Sequence, residues 1–131
     1  MFVDIDHFKR INDRYGHECG DRVLQQLSAR LRGIIRETDL LFRWGGEEFV
    51  VLLPHTVPGE APVLGERIRA AVAERPFVAS EAHPEVATTV SVGIAGTSSW
   101  PVDPDVLLAS ADAACYQAKT KGRNRVSTDA A

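Results

Sequence analysis

The tetrad Gly45-Gly46-Glu47-Glu48 places two residues without side chains next to two neighbouring carboxylates. Neither glycine carries a Cβ, so the backbone at this point can pass close to a bulky ligand. Two adjacent carboxylates repel each other unless a positive charge lies beside them. Apolar runs precede and follow the tetrad, which predicts a β-hairpin with the glycine pair at its tip. A tip with room for a nucleotide and negative charge for a metal ion is a candidate active site.

Two further carboxylates, Asp4 and Asp6, end the first apolar segment of the chain. Mg²⁺ is a hard cation that commonly takes one or two protein carboxylates, with water and substrate phosphate at its other positions. The alternative is that Asp4 or Asp6 caps the following turn while the glutamates are solvated, which is the commoner role of an isolated Asp-x-Asp pair. The glycine pair and the hairpin favour a metal site here.

Residues that could bind a nucleotide follow the first strand. Lys9 lies at the start of a predicted helical turn, where free N–H groups also favour phosphate. Asn12 and Asp21 could read a base edge, since a carboxylate accepts well from the N1–H and N2–H₂ groups of guanine. Each residue taken alone is explained at least as well as a solvated lysine, a turn former and a helix N-cap, respectively.

A dense basic cluster lies late in the chain, at Lys119, Lys121, Arg123 and Arg125. Cations after a helix complement its dipole, so a solvated charge run explains this cluster about as well as a phosphate site does. Phosphate binding requires that the cluster face the hairpin tip.

Composition limits the class of protein. The 131 residues fit one domain, and 44% hydrophobic residues suffice for a globular core. A net charge of −3 and a pI near 5.8 argue against a nucleic-acid-binding surface, but not against one nucleotide held by local cations. Cys19 and Cys115 lie far apart, and with no signal peptide they indicate reduced cytosolic thiols. No apolar run approaches the length of a membrane span. The chain begins inside a predicted strand, which indicates a fragment.

The elements that must position these side chains alternate between strands and helices. Apolar periodicity predicts the order strand, helical turn, helix, hairpin, helix, strand, helix, strand. Asp103 is a predicted N-cap, and the tail 128–131 is predicted to fray. The predicted bounds are 1–5, 6–14, 19–36, 39–44 and 47–53 for the hairpin, 59–74, 86–95, 104–120 and 124–127.

The first four elements predict a split βαβ unit of the ferredoxin-like kind. The first two strands are then parallel through a right-handed crossover, and the third lies antiparallel between them. The hairpin tip and the C-terminal end of the first strand therefore share one edge of the sheet. This topology brings Asp4 toward Glu47 and Glu48, and it predicts an α+β fold with an antiparallel-rich central sheet flanked by helices.

The motifs, taken in order over nearly the whole chain, resemble those of the GGDEF domain, the diguanylate cyclase family, here in the GGEEF form. Any one block is a weak signal, whereas the set is highly specific. The matching blocks are Asp4-Ile5-Asp6-His7-Phe8-Lys9, Ile11-Asn12-Asp13, Gly16-His17, Gly20-Asp21, Arg43-Trp44-Gly45-Gly46-Glu47-Glu48-Phe49, Ser91-Val92-Gly93-Ile94, Ala111-Asp112 with Ala114, Tyr116, Ala118 and Lys119, and Gly122-Arg123-Asn124.

The resemblance implies a ferredoxin-like, nucleotidyl-cyclase palm that condenses two GTP molecules into cyclic di-GMP and pyrophosphate with Mg²⁺ or Mn²⁺. Each domain holds one GTP, so a homodimer must form with two sites face to face. The implied roles are metal binding by Asp4, Glu47 and the Ile5 carbonyl; a second metal ligand or a base at Glu48; space for the nucleotide at Gly45 and Gly46; guanine recognition by Asn12 and Asp21; and phosphate binding by Lys9, Lys119, Arg123 and the backbone near Phe8.

The segment Arg36-Glu37-Thr38-Asp39 matches the family's R-x-x-D inhibitory site, although Arg36 and Asp39 taken alone predict only a weak surface ion pair. The resemblance implies that both bind the product cyclic di-GMP, with Arg67 contributing, and so implies product inhibition.

The chain lacks the helix and the D-x-L-T-G-L-x-N-R type motif that usually precede the first strand of the family. It is therefore expected to be a single GGDEF domain, 1–131, without its usual N-terminal part, from a cytoplasmic protein or the cytoplasmic part of a larger one. The alternative function is a non-catalytic GGDEF module that binds GTP or cyclic di-GMP as a receptor. Degenerate members usually lose a motif carboxylate or glycine, and this chain has kept them.

Overall fold

The computed structural model describes residues 1–129 and shows a five-stranded sheet with four helices. The elements are β1 (Phe2–Ile5), α1 (Phe8–Tyr15), α2 (His17–Ile34), β2 (Leu40–Arg43), β3 (Glu48–Leu52), α3 (Ala61–Glu74), β4 (Val90–Ile94), α4 (Pro104–Thr120) and β5 (Arg125–Thr128). Within this range, none of the helices combines the length and the apolarity that crossing a membrane requires.

The strands lie in the order β2-β3-β1-β4-β5. β3 pairs antiparallel with both β1 and β2, so β1 and β2 point the same way, as the split βαβ pattern predicts. β1 also pairs antiparallel with β4, whereas β4 and β5 are parallel. The α+β prediction is confirmed. The sheet is mixed, with three antiparallel pairings and one parallel pairing.

Helices cover both faces of the sheet, because side chains alternate between the faces along each strand. The apolar stripes of α2 and α3 pack on one face, and α4 packs on the other, where it meets Phe2 and Val50. Asp4 follows Phe2 by two residues and therefore shares the α4 face. The largest fully buried side chains include Phe49, Phe77, Ile5, Leu27, Leu31 and Ile68.

A close backbone approach at Gly93 fixes α4 against the sheet. A Cβ at Gly93 would lie 2.1 Å from the backbone nitrogen of Cys115 and 2.3 Å from the carbonyl oxygen of Ala111. Only glycine permits this contact, since both neighbours are backbone atoms of a helix. The C-terminal end of α4 is thereby placed beside the end of β1.

The first two helices differ from the sequence prediction. The segment predicted as a helical turn is a complete helix, α1, and α2 begins at His17 rather than near residue 19. Gly16 separates the two helices with a φ of 92°, a conformation that glycine adopts without strain. The predicted end of α2 at 36 was also too late, because the chain leaves the helix after Ile34.

The strand predicted at 86–95 is shorter in the structure. β4 spans only Val90–Ile94, since Val86 forms an isolated antiparallel bridge with Phe77 instead. The predicted N-cap is confirmed, because the Asp103 side chain accepts from the N–H groups of Asp105 and Val106.

The end of the chain is more ordered than the sequence predicts. Thr128 belongs to β5, and the Asp129 N–H donates to the Ile94 carbonyl at 2.8 Å. The prediction of fraying at these two residues was wrong, because β5 pairs with β4 as far as Thr128. Ala130 and Ala131 lie outside the described residues.

Candidate active site

The hairpin between β2 and β3 delivers its carboxylates to the end of β1, as the topology predicts. Asp4 lies directly opposite Glu48 in the β1–β3 register, and the Ile5 N–H donates to the Glu47 carbonyl at 3.2 Å. Asp4 is buried, with 3% of its surface exposed, whereas Glu47 and Glu48 are half-buried. Three carboxyl groups from two segments distant in sequence therefore meet at one edge of the sheet.

A lysine from α4 partly offsets this negative charge. The Lys119 Nζ donates to Asp4 Oδ2 at 2.7 Å. Lys119 is thus the member of the basic cluster that reaches the hairpin tip. Asp112 lies two helical turns before Lys119 and on the same side of α4, and its charge also acts on Asp4 and Glu48.

Burial, followed by the charges of nearby carboxylates, raises the pKa of all three acidic groups. Desolvation is the largest cause of the raised pKa of Asp4, and it outweighs the opposing hydrogen bond and charge of Lys119. Desolvation followed by the charge of Asp4 raises the pKa of Glu47 and of Glu48. Desolvation lowers the pKa of Lys119, but the hydrogen bond and charge of Asp4 outweigh it, so this pKa is raised. The site therefore favours additional positive charge.

Arg43 forms hydrogen bonds with the backbone of the glycine tip. Its guanidinium donates to the carbonyl oxygens of Gly45 at 3.2 Å and Gly46 at 2.8 Å, which fixes the backbone of the turn. A Cβ at Gly46 would have open space around it, whereas one at Gly45 would lie 2.8 Å from a carboxylate oxygen of Glu48. The space above Gly46 is where a ligand can approach the backbone.

The candidate metal ligands at this edge of the sheet suit a hard divalent cation. All of them are oxygens, from Asp4, Glu47 and the Ile5 carbonyl, and burial followed by nearby negative charge already raises the pKa of both carboxyls. Across residues 1–129, no three side chains among His, Cys, Asp and Glu form a complete metal-binding group by themselves. A cation here would therefore take one or two protein carboxylates and fill its other positions from water and a phosphate, as Mg²⁺ does.

The residues proposed for the nucleotide lie on α1 and α2. Within residues 1–129, no side chain caps the N-terminus of α1, where His7 adopts a left-handed conformation with φ of 55°, Phe8 is buried, and Lys9 is exposed. The Asn12 carboxamide lies against Gly20, since a Cβ at Gly20 would be 2.0 Å from Asn12 Oδ1. Asn12 is thereby brought beside Asp21, the exposed residue that follows Gly20 on α2.

The structure excludes the interpretation of Asp21 as a helix N-cap. Asp21 lies inside α2, which begins at His17, and is exposed to solvent. A free carboxylate and a carboxamide on adjacent helices can read two hydrogen-bonding groups of one base.

The turn after α4 carries the remaining predicted phosphate ligand, Arg123. The Gly122 N–H donates to the Lys119 carbonyl at 3.3 Å, and the Arg123 N–H donates to the Ala118 carbonyl at 3.0 Å. This pair of bonds is a Schellman motif, which ends the helix and reverses the chain. Gly122, Arg123 and Asn124 all have positive φ, of 124°, 62° and 46°. The turn holds Lys119 and Arg123 at a fixed spacing.

Asp6 is bound into the structure and is not available to a metal. Its carboxylate accepts from Thr89 Oγ1 and Ser91 Oγ at 2.6 Å each, and from the Asn124 N–H at 3.0 Å. Sequence reasoning counted Asp6 among the acidic oxygens of the tip and missed this role. The signal that could have found it is the pair of hydroxyl residues at 89 and 91, which are spaced to face one side of a strand.

The R-x-x-D segment forms a closed turn at a separate pocket. The Asp39 N–H donates to the Arg36 carbonyl at 3.0 Å, and the Arg36 N–H donates to Asp39 Oδ2 at 2.9 Å. The pocket, of about 280 Å³, is lined by both residues and by Arg67 of α3. The other carboxylate oxygen of Asp39 is buried and has no hydrogen-bond partner among residues 1–129. The Arg36 guanidinium contacts the exposed carboxylate of Glu60 at 3.2 Å.

The whole chain apart from its last residues matches a known protein family. Residues 1–125 match the family described as "Diguanylate cyclase, GGDEF domain". The chain is 43% identical to the response regulator PleD of Caulobacter vibrioides over 126 residues, which are 96% of this chain and 28% of PleD. It is 46% identical to diguanylate cyclase DgcM of Escherichia coli over 129 residues, or 29% of that protein. The chain thus spans less than a third of these relatives.

Solved structures show the same fold. The GGDEF domain of DgcB from Caulobacter crescentus, in complex with c-di-GMP, superposes with a TM-score of 0.90 at 32% identity, covering 99% of this chain and 76% of that one. The active GGEEF domain of a diguanylate cyclase from Vibrio cholerae superposes with a TM-score of 0.88 at 35% identity, covering 99% and 81%.

Proposed function

Because the chain belongs to the GGDEF family of diguanylate cyclases, we propose that it condenses two GTP molecules into cyclic di-GMP. The 3′-hydroxyl oxygen of each GTP bonds to the α-phosphorus of the other, and each α-phosphorus releases pyrophosphate. The observation that carries this proposal is the register that sets Asp4 opposite Glu48 at an open glycine tip, with Lys119 alongside. These residues supply oxygen ligands and a phosphate-binding cation at one point.

Asp4, Glu47 and the Ile5 carbonyl would hold Mg²⁺ or Mn²⁺. Such an ion neutralises phosphate charge and lowers the pKa of a bound hydroxyl. Glu48 adds a further ligand or accepts the proton of the 3′-hydroxyl, and its raised pKa brings it closer to the range of a useful base. Lys119 and Arg123 bind phosphate oxygens together with Lys9 and the free N–H groups beside Phe8 at the start of α1.

Asn12 and Asp21 recognise the guanine base. The carboxylate accepts from N1–H and N2–H₂, and the carboxamide pairs with the neighbouring polar edge. Gly45 and Gly46 let the nucleotide lie against the hairpin backbone, where the space above Gly46 is open. Adenine offers an acceptor at N1 and no 2-amino group, so the same carboxylate discriminates against ATP.

One domain supplies the groups for one GTP, so catalysis requires a homodimer with two sites face to face. The hydroxyl and the phosphate that react belong to different nucleotides, and each is held by its own protomer. The R-x-x-D pocket supports product inhibition, since Arg36 and Arg67 offer cations for phosphate and Asp39 offers an acceptor oxygen that has no partner in the described part of the chain. A nucleoside triphosphate substrate and two free thiols, Cys19 and Cys115, support a cytoplasmic location.

The test is to incubate the protein with GTP and Mg²⁺ and to separate the products by chromatography, across protein concentrations that span dimer formation. We expect cyclic di-GMP and pyrophosphate, with a rate per protomer that rises with concentration. Glu47→Gln should lower the rate by about a hundredfold or more, because it removes a ligand charge at the reacting centre. The matched control is Glu85→Gln, on an exposed loop. GTP or cyclic di-GMP binding without product at any concentration would establish the receptor function instead.

A further inference from the structure

The buried carboxylate of Asp6 joins three parts of the chain that are distant in sequence. It lies two residues after Asp4, and 4% of its surface is exposed. Its two oxygens accept three hydrogen bonds, two from the hydroxyls of Thr89 and Ser91 and one from the backbone of Asn124. Hydrogen bonds to a buried charge are short and strong, so this cluster is a rigid point of the fold.

The third of these bonds fixes the turn that carries Arg123. Arg123 and Asn124 both adopt left-handed backbone conformations, which cost free energy for residues other than glycine and persist only where their surroundings hold them. Asp6 holds the backbone N–H of Asn124 from the sheet side. Arg69 of α3 donates to the Asn124 side chain at 2.9 Å from the other side.

We propose that Asp6 is a positioning residue, whose carboxylate fixes the turn after α4 so that Arg123 is held toward the phosphates of bound GTP. This rests on the proposed function of the site. Asp6 itself touches neither nucleotide nor metal; it acts through the Asn124 N–H. Lys119 needs no such device, because it lies on α4, which packs against the sheet.

Binding of 3′-deoxy-GTP with Mg²⁺, measured by calorimetry, tests this directly, since that analogue has no 3′-hydroxyl to react. We expect Asp6→Ala and Arg123→Ala each to weaken binding about tenfold. The double variant should bind no more weakly than Arg123→Ala, because Asp6 acts only through that residue. Asp6→Asn should restore most of the affinity, since the carboxamide oxygen can still accept from Asn124 while its NH₂ donates to the Ser91 hydroxyl.

Ser91→Ala is the matched control. It removes a hydrogen bond from the same carboxylate without touching the turn, so it should lower thermal stability and leave the dissociation constant within about twofold of wild type. If Asp6→Ala does not fold, semisynthesis that replaces the Arg123–Asn124 amide with an ester removes the N–H that donates to Asp6 and leaves the hydroxyl bonds intact. The ester variant should weaken binding by the same factor.

The outcomes separate the two proposals. Wild-type protein that binds no GTP analogue contradicts the proposed function. Wild-type protein that binds it, with Asp6→Ala and the ester variant both at wild-type affinity, contradicts the positioning role alone. A double variant whose loss is the product of the two single losses also contradicts it, because that result is what a merely structural role produces.

Discussion

The Nζ of Lys119 lies 2.7 Å from Oδ2 of Asp4, so a metal ligand proposed for the hairpin tip is already paired with a cation from α4. The pair joins residues 115 positions apart in the chain. Because Asp4 is buried, the lysine stabilises its charge when no other cation is present. We expect a metal ion that binds the same oxygen to displace the lysine, which then becomes free to contact phosphate.

Lys119→Met should have opposite effects on metal binding and on turnover. Without nucleotide, the variant should bind Mn²⁺ more tightly than wild type, because no lysine competes for Asp4. Its rate of cyclic di-GMP formation should fall about tenfold or more, because a phosphate contact is lost. Mn²⁺ titration followed by electron paramagnetic resonance and a turnover assay measure the two effects. Lys121→Met, at the exposed end of the same helix, is the control, and weaker Mn²⁺ binding by Lys119→Met would refute the exchange.

The raised pKa values of Asp4, Glu47 and Glu48 predict that the metal-free protein loses stability as pH rises. Between the ordinary carboxyl pKa and the raised one, the folded state binds more protons than the unfolded state, so the free energy of unfolding falls through this window. The double variant Glu47→Gln with Glu48→Gln should therefore unfold at a higher temperature than wild type at pH 7, with the difference shrinking at pH 4. An equal difference at both pH values would show that burial and nearby charge do not raise the pKa of these glutamates.

Metal binding should show the opposite pH dependence. Protons must leave the same carboxyl groups before they bind a cation, so the affinity for Mg²⁺ should increase as pH rises through their raised pKa values. Calorimetric titration between pH 5 and 8 measures the change and the number of protons released. Affinity independent of pH would place the ion elsewhere.

Arg36→Ala should relieve product inhibition without lowering the initial rate. The side chain lines the R-x-x-D pocket and not the hairpin tip, so the concentration of cyclic di-GMP that halves the rate should rise about tenfold or more. Arg32→Ala is a suitable control, because Arg32 is exposed on the last turn of α2 and does not line the pocket. Unchanged cyclic di-GMP binding by Arg36→Ala in calorimetry would remove the proposed inhibitory site.

Glu60→Gln should have the reverse effect on the same pocket. The Glu60 carboxylate forms an ion pair with the Arg36 guanidinium, and both side chains are more than half exposed. An exposed pair of this kind contributes at most about 1 kcal/mol, so its removal should tighten cyclic di-GMP binding by no more than about fivefold. A double variant with Arg36→Ala should show no tightening, and tightening that persisted there would mean that Glu60 does not act through Arg36.

Gly93→Ala should destabilise the fold by about 3 kcal/mol or more, because the added methyl group overlaps backbone atoms of α4 that cannot move independently. Thermal unfolding measures this loss. Gly33→Ala is the matched substitution in open space on α2 and should stabilise the protein by about 0.5–1 kcal/mol. Similar small effects at both positions would show that α4 can move away from β4.

The meeting of Asp4 with the glutamates was predictable because it depends only on strand order and on the hairpin, both of which have strong local signals. α1 was predicted only as a helical turn over 6–14, because its apolar stripe is only two buried residues, Phe8 and Ile11. The extent of β4 was overestimated because Val86 alternates correctly with the strand that follows but pairs with Phe77.

Contacts made by long side chains across the sheet could not be predicted. Neither the reach of Lys119 to Asp4 nor the binding of Asp6 by Asn124 follows from periodicity, because each depends on how one helix end and one turn pack against another strand. The basic cluster is evident in the sequence, but the sequence does not show which of its members faces the hairpin tip. The Arg36–Glu60 contact likewise depends on the placement of α3 beside the R-x-x-D turn.

The turn from Gly122 to Asn124 also limits how this part of the chain can change. Three successive positive φ angles and the two Schellman bonds fix its length, and the Asp6 contact fixes its direction. An insertion or deletion here would rotate β5 relative to α4 and shift its pairing with β4. Libraries that vary loop length to alter this protein should therefore leave this turn intact and use the exposed segment 96–101, which lies in the connection between β4 and α4.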